Sequence, residues 1–226
     1  MWATVAFLLI EVLMQSQNSP ARNGPRGMVF PVSGAPITLE EVEERTRTLP
    51  DGATDTEILR EKIYRDSAGR MRIEATVNDP SNKSLVLVYL IDPSPFSIVL
   101  LTPDKIAARM LPPENADRVG LALPSLLQEL PPGNWEWKTE NLGSRKIEGI
   151  DFEGSRLTRT SPEYPGAVAL DESWNSKELR LTGLAFGSGP NGSYTAKIQN
   201  VDQGEPDPAL FTIPSDYTIQ DFSSGK

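Results

Sequence analysis

Most strand-like segments of this chain are separated by gaps too short for a crossover helix, which constrains its fold more than any other feature. Parallel neighbours need a connection of about a dozen or more residues, usually helical, so short gaps dictate antiparallel pairing. The clearest segment is residues 70–77. Met71, Ile73, Ala75 and Val77 are apolar, while Arg70, Arg72, Glu74 and Thr76 are polar, a clean period of two. Asp66-Ser67-Ala68-Gly69 precedes it, with glycine where a type I turn closes through a left-handed residue. The spacing predicts a hairpin of residues 58–65 with 70–77, wet on one face. Residues 85–91 form a continuous apolar run bounded by Asn82-Lys83 and Asp92-Pro93, as expected of a central strand covered on both faces.

Turn signals punctuate the rest. Pro50-Asp51-Gly52 separates residues 46–49 from 54–64, a second hairpin. Thr38 followed three residues later by Glu41 matches a capping box, so at most one helical turn is expected before that hairpin. Thr102-Pro103-Asp104 divides strands at 97–101 and 105–110. Strands are expected at 144–152 and 155–160 around Gly154, then at 168–174, 179–186 and 194–201, with 187–192 as a loose hairpin loop. The chain closes with a segment at 208–213. Residues 121–130 are Leu-rich, with Pro124 at a helix start and Pro131-Pro132 as a stop, and predict one short helix able to cap a sheet. The reading is mainly β: about ten or eleven short strands in one antiparallel sheet, strongly curved or closed.

Composition removes whole classes of chemistry. With no Cys and no His, Ser-His-Asp and Cys-His catalysis, imidazole or thiolate zinc sites and disulfides are impossible. A net charge of −9 and a pI of about 4.7 leave no basic face to neutralise phosphates, so nucleic acid is not an expected partner. Residues 2–14 are apolar apart from Thr4 and Glu11, too short to span a bilayer and of the length of a signal-peptide core. No Lys or Arg precedes this run, as one normally would. The expected organisation is a signal peptide at 1–21, a linker or mature tail at 22–36, one β domain at 37–222 and a frayed tail at 223–226. A periplasmic or secreted location follows, with no integral membrane span.

Paired carboxylates are the catalytic device that remains. Asp151 and Glu153 share a strand face, Asp171 and Glu172 project oppositely, and neither pair carries a sign of the burial a glycosidase acid requires. Asp202, Glu205 and Asp207 lack the spacing of a calcium loop. The glycine-rich stretch at 187–192 joins two strands rather than a strand and a helix, so it reads as a hairpin loop and not a dinucleotide site. No catalytic residue, metal or cofactor is therefore assigned. Trp135, Trp137 and Trp174 are expected as core or cross-strand partners more than as sugar platforms; Trp135 and Trp137 would share one face of an extended chain.

The closing residues carry a resemblance. Asp207-Pro208-Ala209-Leu210-Phe211-Thr212-Ile213-Pro214, following Tyr194-Thr195-Ala196-Lys197-Ile198-Gln199-Asn200-Val201, is similar to the closing strands of the LolA-like lipoprotein-carrier superfamily. Leu142-Gly143-Ser144-Arg145 and then Gly149-Ile150-Asp151-Phe152 resemble its upstream order. The resemblance implies an unclosed antiparallel β-barrel with one or two short helices over its opening, holding an apolar cavity. It also implies carriage of lipids or lipoproteins, or protein binding and sensing, in the envelope. From the residues themselves, the apolar set Met71, Ile73, Ala75 and Val77 must face inward, and Leu87, Tyr89, Ile150, Phe152 and Leu181 would continue that lining. The expected function is non-enzymatic binding of an acyl chain, lipid or lipoprotein. Binding of an envelope protein partner on the same fold is the alternative, and a carboxylate hydrolase the third reading.

Overall fold

The computed structural model describes residues 29, 31–49, 51–78, 84–110, 133–165, 167–189 and 192–221. The expected signal peptide, the expected helix at 121–130 and the tail at 223–226 lie outside them. Among the described residues twelve strands form one sheet: β1 (Ile37–Thr48), β2 (Thr54–Arg65), β3 (Met71–Asn78), β4 (Ser84–Pro93), β5 (Phe96–Leu101), β6 (Ile106–Met110), β7 (Glu136–Ile147), β8 (Ile150–Thr160), β9 (Val168–Ser176), β10 (Leu181–Gly189), β11 (Gly192–Asp202) and β12 (Thr218–Asp221). Their spatial order is β12-β6-β5-β4-β3-β2-β1-β11-β10-β9-β8-β7. The sheet is curved and its ends do not join, so it is not a closed barrel.

Short turns produce most of this order, while β1–β11 and β6–β12 join strands far apart in the chain. At the β1–β2 turn the Leu49 N–H donates to the Ala53 carbonyl at 2.8 Å, Gly52 takes φ +84°, and Asp51 Oδ1 accepts from the Ala53 N–H at 3.0 Å. The next turn is held by Asp66, 2% exposed, whose Oδ1 accepts from the Arg70 N–H at 2.8 Å while Oδ2 meets Arg70 Nε at 2.6 Å. All neighbouring strands pair antiparallel except β12, which lies parallel to β6. That parallel edge has no counterpart in the sequence reading, because its partner stands more than a hundred residues upstream.

Three expectations are corrected. Thr38 to Glu41 is strand, not a helical turn: Leu39 pairs with Ile63 of β2, and Glu40 and Glu41 pair with Gln199 and Ile198 of β11. The break near 150 falls at Glu148-Gly149, with φ of +50° and +79°, and Gly154 continues within β8. Gly154 is there because its missing side chain admits the Trp174 ring, whose Cη2 would lie 2.7 Å from an added Cβ. The loop expected at 187–192 is shorter, since β10 runs to Gly189 and β11 begins at Gly192; the closing segment at 208–213 holds a 3-10 turn over Pro208–Phe211, capped by Asp207 Oδ1 accepting from the Ala209 N–H.

The core lies mainly on the inner face. The register aligns Leu39, Ile63, Ile73, Tyr89, Leu100 and Ala108 in one row across β1 to β6, every one buried. A smaller cluster of Leu90, Leu101 and Ala107, with Val88, Val99, Ile213 and Tyr217 against it, forms on the opposite face under the carboxyl-terminal segment. Strand β4 therefore contributes to both clusters, as its unbroken apolar sequence predicts. The segment before β1 ties across the sheet: Val29 bridges Leu181, Gly34 donates to the Ser67 carbonyl at 2.8 Å, and buried Arg65 donates from Nε to the Ala35 carbonyl at 2.7 Å.

Candidate functional site on the inner sheet face

Eight of the nine expected lining residues have described side chains, and all eight are buried in one apolar cluster. Met71, Ile73 and Ala75 come from β3, Leu87 and Tyr89 from β4, Ile150 and Phe152 from β8, and Leu181 from β10. Val77 is placed by its backbone opposite Leu85, and its side chain is outside the description. Phe152 is 1% exposed because Gly183 leaves room for it; a Cβ at Gly183 would sit 2.5 Å from the ring. Trp174 closes the same region over Gly154, donates from Nε1 to Glu172 Oε1 at 2.8 Å, and carries the Arg145 guanidinium 3.9 Å above its ring.

The inner face is not apolar throughout. In the row next to Leu39 and Ile63, Glu41 pairs with Glu61 on one side and Ile198 on the other, and Glu61 pairs with Ala75. Glu41 is 5% exposed, and its Oε2 has no hydrogen-bond partner among the described residues. Glu43 and buried Arg45 follow on the same face, joined by two hydrogen bonds of 2.6 and 2.8 Å from Nε and Nη2. Burial, then the charges of Glu61 and Glu43, push the Glu41 carboxyl well above the usual carboxylate range. Burial and the Glu43 charge push Glu61 up to about 7, against the opposing pull of Arg45. Tyr89 is pushed up to about 12 by burial and by the Glu61 charge. These acids are held neutral in part because two carboxylates this close cannot both ionise cheaply in an apolar setting.

Sequence reasoning missed this cluster, although a signal existed. Ile37 and Leu39 start a period of two that carries directly through 41, 43 and 45, so the run Glu40-Glu41-Val42-Glu43-Glu44 alternates faces instead of lying wholly in water.

The other sequence candidates each have local partners. Asp151 pairs with Lys146 and Glu153 with Lys177, all exposed. Asp171 pairs with Arg159, while Glu172 takes Arg156 at 2.8 Å and the Trp174 indole. Asp202 accepts from the Gly204 N–H, Glu205 from the Ser67 N–H, and Asp207 caps the 3-10 turn, so those three do not converge. Among the described residues there is no group of three or more acids placed to hold a metal, and no helix long and apolar enough to cross a membrane.

No family model matches the chain, and no curated protein matches it by sequence. Solved structures do. A DUF1329 family protein from Desulfovibrio piger is 10% identical, covering 90% of this chain and 94% of its own at a TM-score of 0.33. LprF from Mycobacterium bovis is 12% identical, covering 96% and 98% at a TM-score of 0.36. A protein domain from Vibrio parahaemolyticus assigned to outer membrane lipoprotein sorting is 10% identical, covering 88% and 94% at a TM-score of 0.35. Identities and scores at this level carry no function across.

Proposed function

We propose that this protein is a non-enzymatic binding protein of the cell envelope that holds an apolar ligand against the inner face of its sheet. The ligand class is an acyl chain, borne by a lipid or a lipoprotein. The observation that carries the reading is the row from Leu39 to Ala108, apolar on six successive strands of a sheet whose ends do not join. A curved sheet with such a face must cover it or leave room beside it. Each methylene transferred from water to that face contributes about 0.8 kcal/mol, so a long chain accumulates useful affinity without any specific polar contact. Met71, Ile73, Val77, Leu87, Tyr89, Ile150, Phe152 and Leu181 are the residues assigned to the contact. The apolar stretch at 2–14 supports a periplasmic or secreted location.

The test is titration of the folded protein with fluorescent fatty acids and lipopeptides, together with native mass spectrometry of protein purified from its host envelope. Saturable binding and a co-purifying lipid are expected. No saturable binding up to the solubility limit of the probes, with a filled interior in an experimental structure, overturns the reading.

A further inference from the structure

A second site lies away from the apolar cluster, beside the edge strand β7. The chain entering β7 and the β8–β9 connection enclose a cleft of about 450 Å³, lined by Asn134, Trp135, Glu136, Trp137, Arg159 and Pro162, with Gly133 at its margin. That volume is within the range of about 300–1,000 Å³ typical of small-molecule sites. The connection is fixed by its own bonds. Glu163 N–H donates to Ser161 Oγ at 3.2 Å, Tyr164 N–H to the Ser161 carbonyl at 3.2 Å, and Ala167 N–H to the Tyr164 carbonyl at 2.9 Å. It presents Tyr164 to Trp135, whose ring it stacks at 5.9 Å between centroids and 10° between planes. Glu163 Oε1 accepts from both the backbone N–H and the Nδ2 of Asn134, at 3.2 and 2.8 Å. An added Cβ at Gly133 would lie 2.6 Å from Glu163 Oε2, so a side chain there would displace that carboxylate. Trp137, two residues beyond Trp135, stands 74% exposed.

We propose that this cleft binds a neutral saccharide, one or two pyranose rings of a glycan chain. A pyranose has apolar C–H faces and a rim of hydroxyls. The cleft offers the Trp135 and Trp137 indoles for the first, with Asn134, Glu136 and Arg159 on its wall to donate to and accept from the second. Other ligand classes fit less well. An ammonium cage needs aromatic faces set around the cation, whereas Trp135 and Tyr164 lie nearly parallel, and Arg159 is part of the wall. Anionic ligands, including nucleotides, meet Glu136 in a protein of net charge −9. The site is independent of acyl-chain binding on the inner face.

The test uses the full folded protein on an array of neutral di- to hexasaccharides of glucose, galactose, mannose and N-acetylglucosamine, with proline-rich peptides printed alongside. Hits are then titrated by tryptophan fluorescence. Retention on at least one glycan is expected, weakened about tenfold by Trp137→Ala and largely kept by Trp137→Phe, as loss of one aromatic stack predicts. Trp137 is exposed, so the thermal midpoint should not move. Failure of every glycan to retain the wild-type protein overturns the proposal. So does undiminished binding by Trp137→Ala, or retention by the proline-rich peptides alone, which would make the cleft a protein-docking site.

Discussion

Replacing Glu61 by Gln should make the protein more stable above neutral pH, by a margin that shrinks as the pH falls to 5. Glu61 faces Glu41 and Ala75 across its two strand pairs, one step from buried Ile63, and its carboxyl is pushed from 4.5 up to about 7 by burial and the Glu43 charge. In the unfolded chain that carboxyl loses its proton near 4.5, while the folded protein keeps it until about 7. The folded state therefore binds more protons across that window, and stability falls as pH rises through it, the reverse of a salt-bridged acid. At about 1.36 kcal/mol per pH unit, the loss between pH 4.5 and full ionisation above 7 amounts to about 3 kcal/mol. Gln keeps the shape and cannot ionise. Its removal of the Glu61 charge also relieves Glu41, which that charge helps to hold neutral. The assay is urea denaturation of both proteins at half-unit steps from pH 5 to 8.5. With no His in the chain, no imidazole titrates in the window to blur the slope. Parallel pH profiles, or a Glu61→Gln protein no more stable than wild type at pH 8.5, would refute the reasoning.

Three further substitutions test the architecture. Phe152→Ala, which empties the space over Gly183, should cost about 3–5 kcal/mol in urea denaturation. Gly192→Ala should destabilise by more than about 1 kcal/mol and speed amide exchange along β1 and β11. The cause is its φ of +146° and an added Cβ only 1.9 Å from the Thr46 carbonyl oxygen. Asp66→Ala should cost about 1–3 kcal/mol by calorimetry, because it strips the Arg70 N–H and guanidinium of a buried acceptor.

Much of the architecture was legible because strand alternation and turn chemistry are local signals. Met71 to Val77 announced both their strand and their face, and the Asp66–Gly69 turn named its partner. The break at Glu148-Gly149 was misread because the residues on either side of it, Lys146, Ile147, Ile150 and Asp151, continue a strand-like pattern across the turn. Gly154 was taken for an interruption, because the sequence does not say that a tryptophan from β9 will lie on it. The β12–β6 pairing depends on a long-range encounter of Thr218 with Ile106 that leaves no local trace. On the inner face, the unbroken run at 85–91 left the faces of Leu87 and Tyr89 open, whereas burial of Met71, Ile73 and Ala75 was legible from alternation. The acids were not, since a run of Glu looks solvated unless its phase is followed from Ile37. The Trp135 cleft needed the β8–β9 connection, which presents Tyr164 to it from the far side of a strand pair.

The position of the two acids gives the proposed ligand site a pH dependence of its own. Glu61, the less buried of the two, occupies the row beside Ile63, Ile73 and Tyr89, so a chain laid along that row covers its carboxyl, whereas Glu41 is already buried. Covering a neutral carboxyl removes one polar group from water; covering an ionised one with no new partner costs far more. An uncharged acyl probe therefore binds the protonated form, and its affinity should fall as Glu61 ionises above about 7, approaching tenfold per pH unit. A fluorescent long-chain alcohol is the suitable probe, because its own charge does not change between pH 6 and 8.5. Binding should weaken across that range in the wild type and hold nearly constant in Glu61→Gln. Equal affinity at both pH values in the wild type would separate the acids from the ligand face. Weakening of the same size in Glu61→Gln would place the titrating group elsewhere. Absence of binding at either pH would count against the acyl-chain function itself.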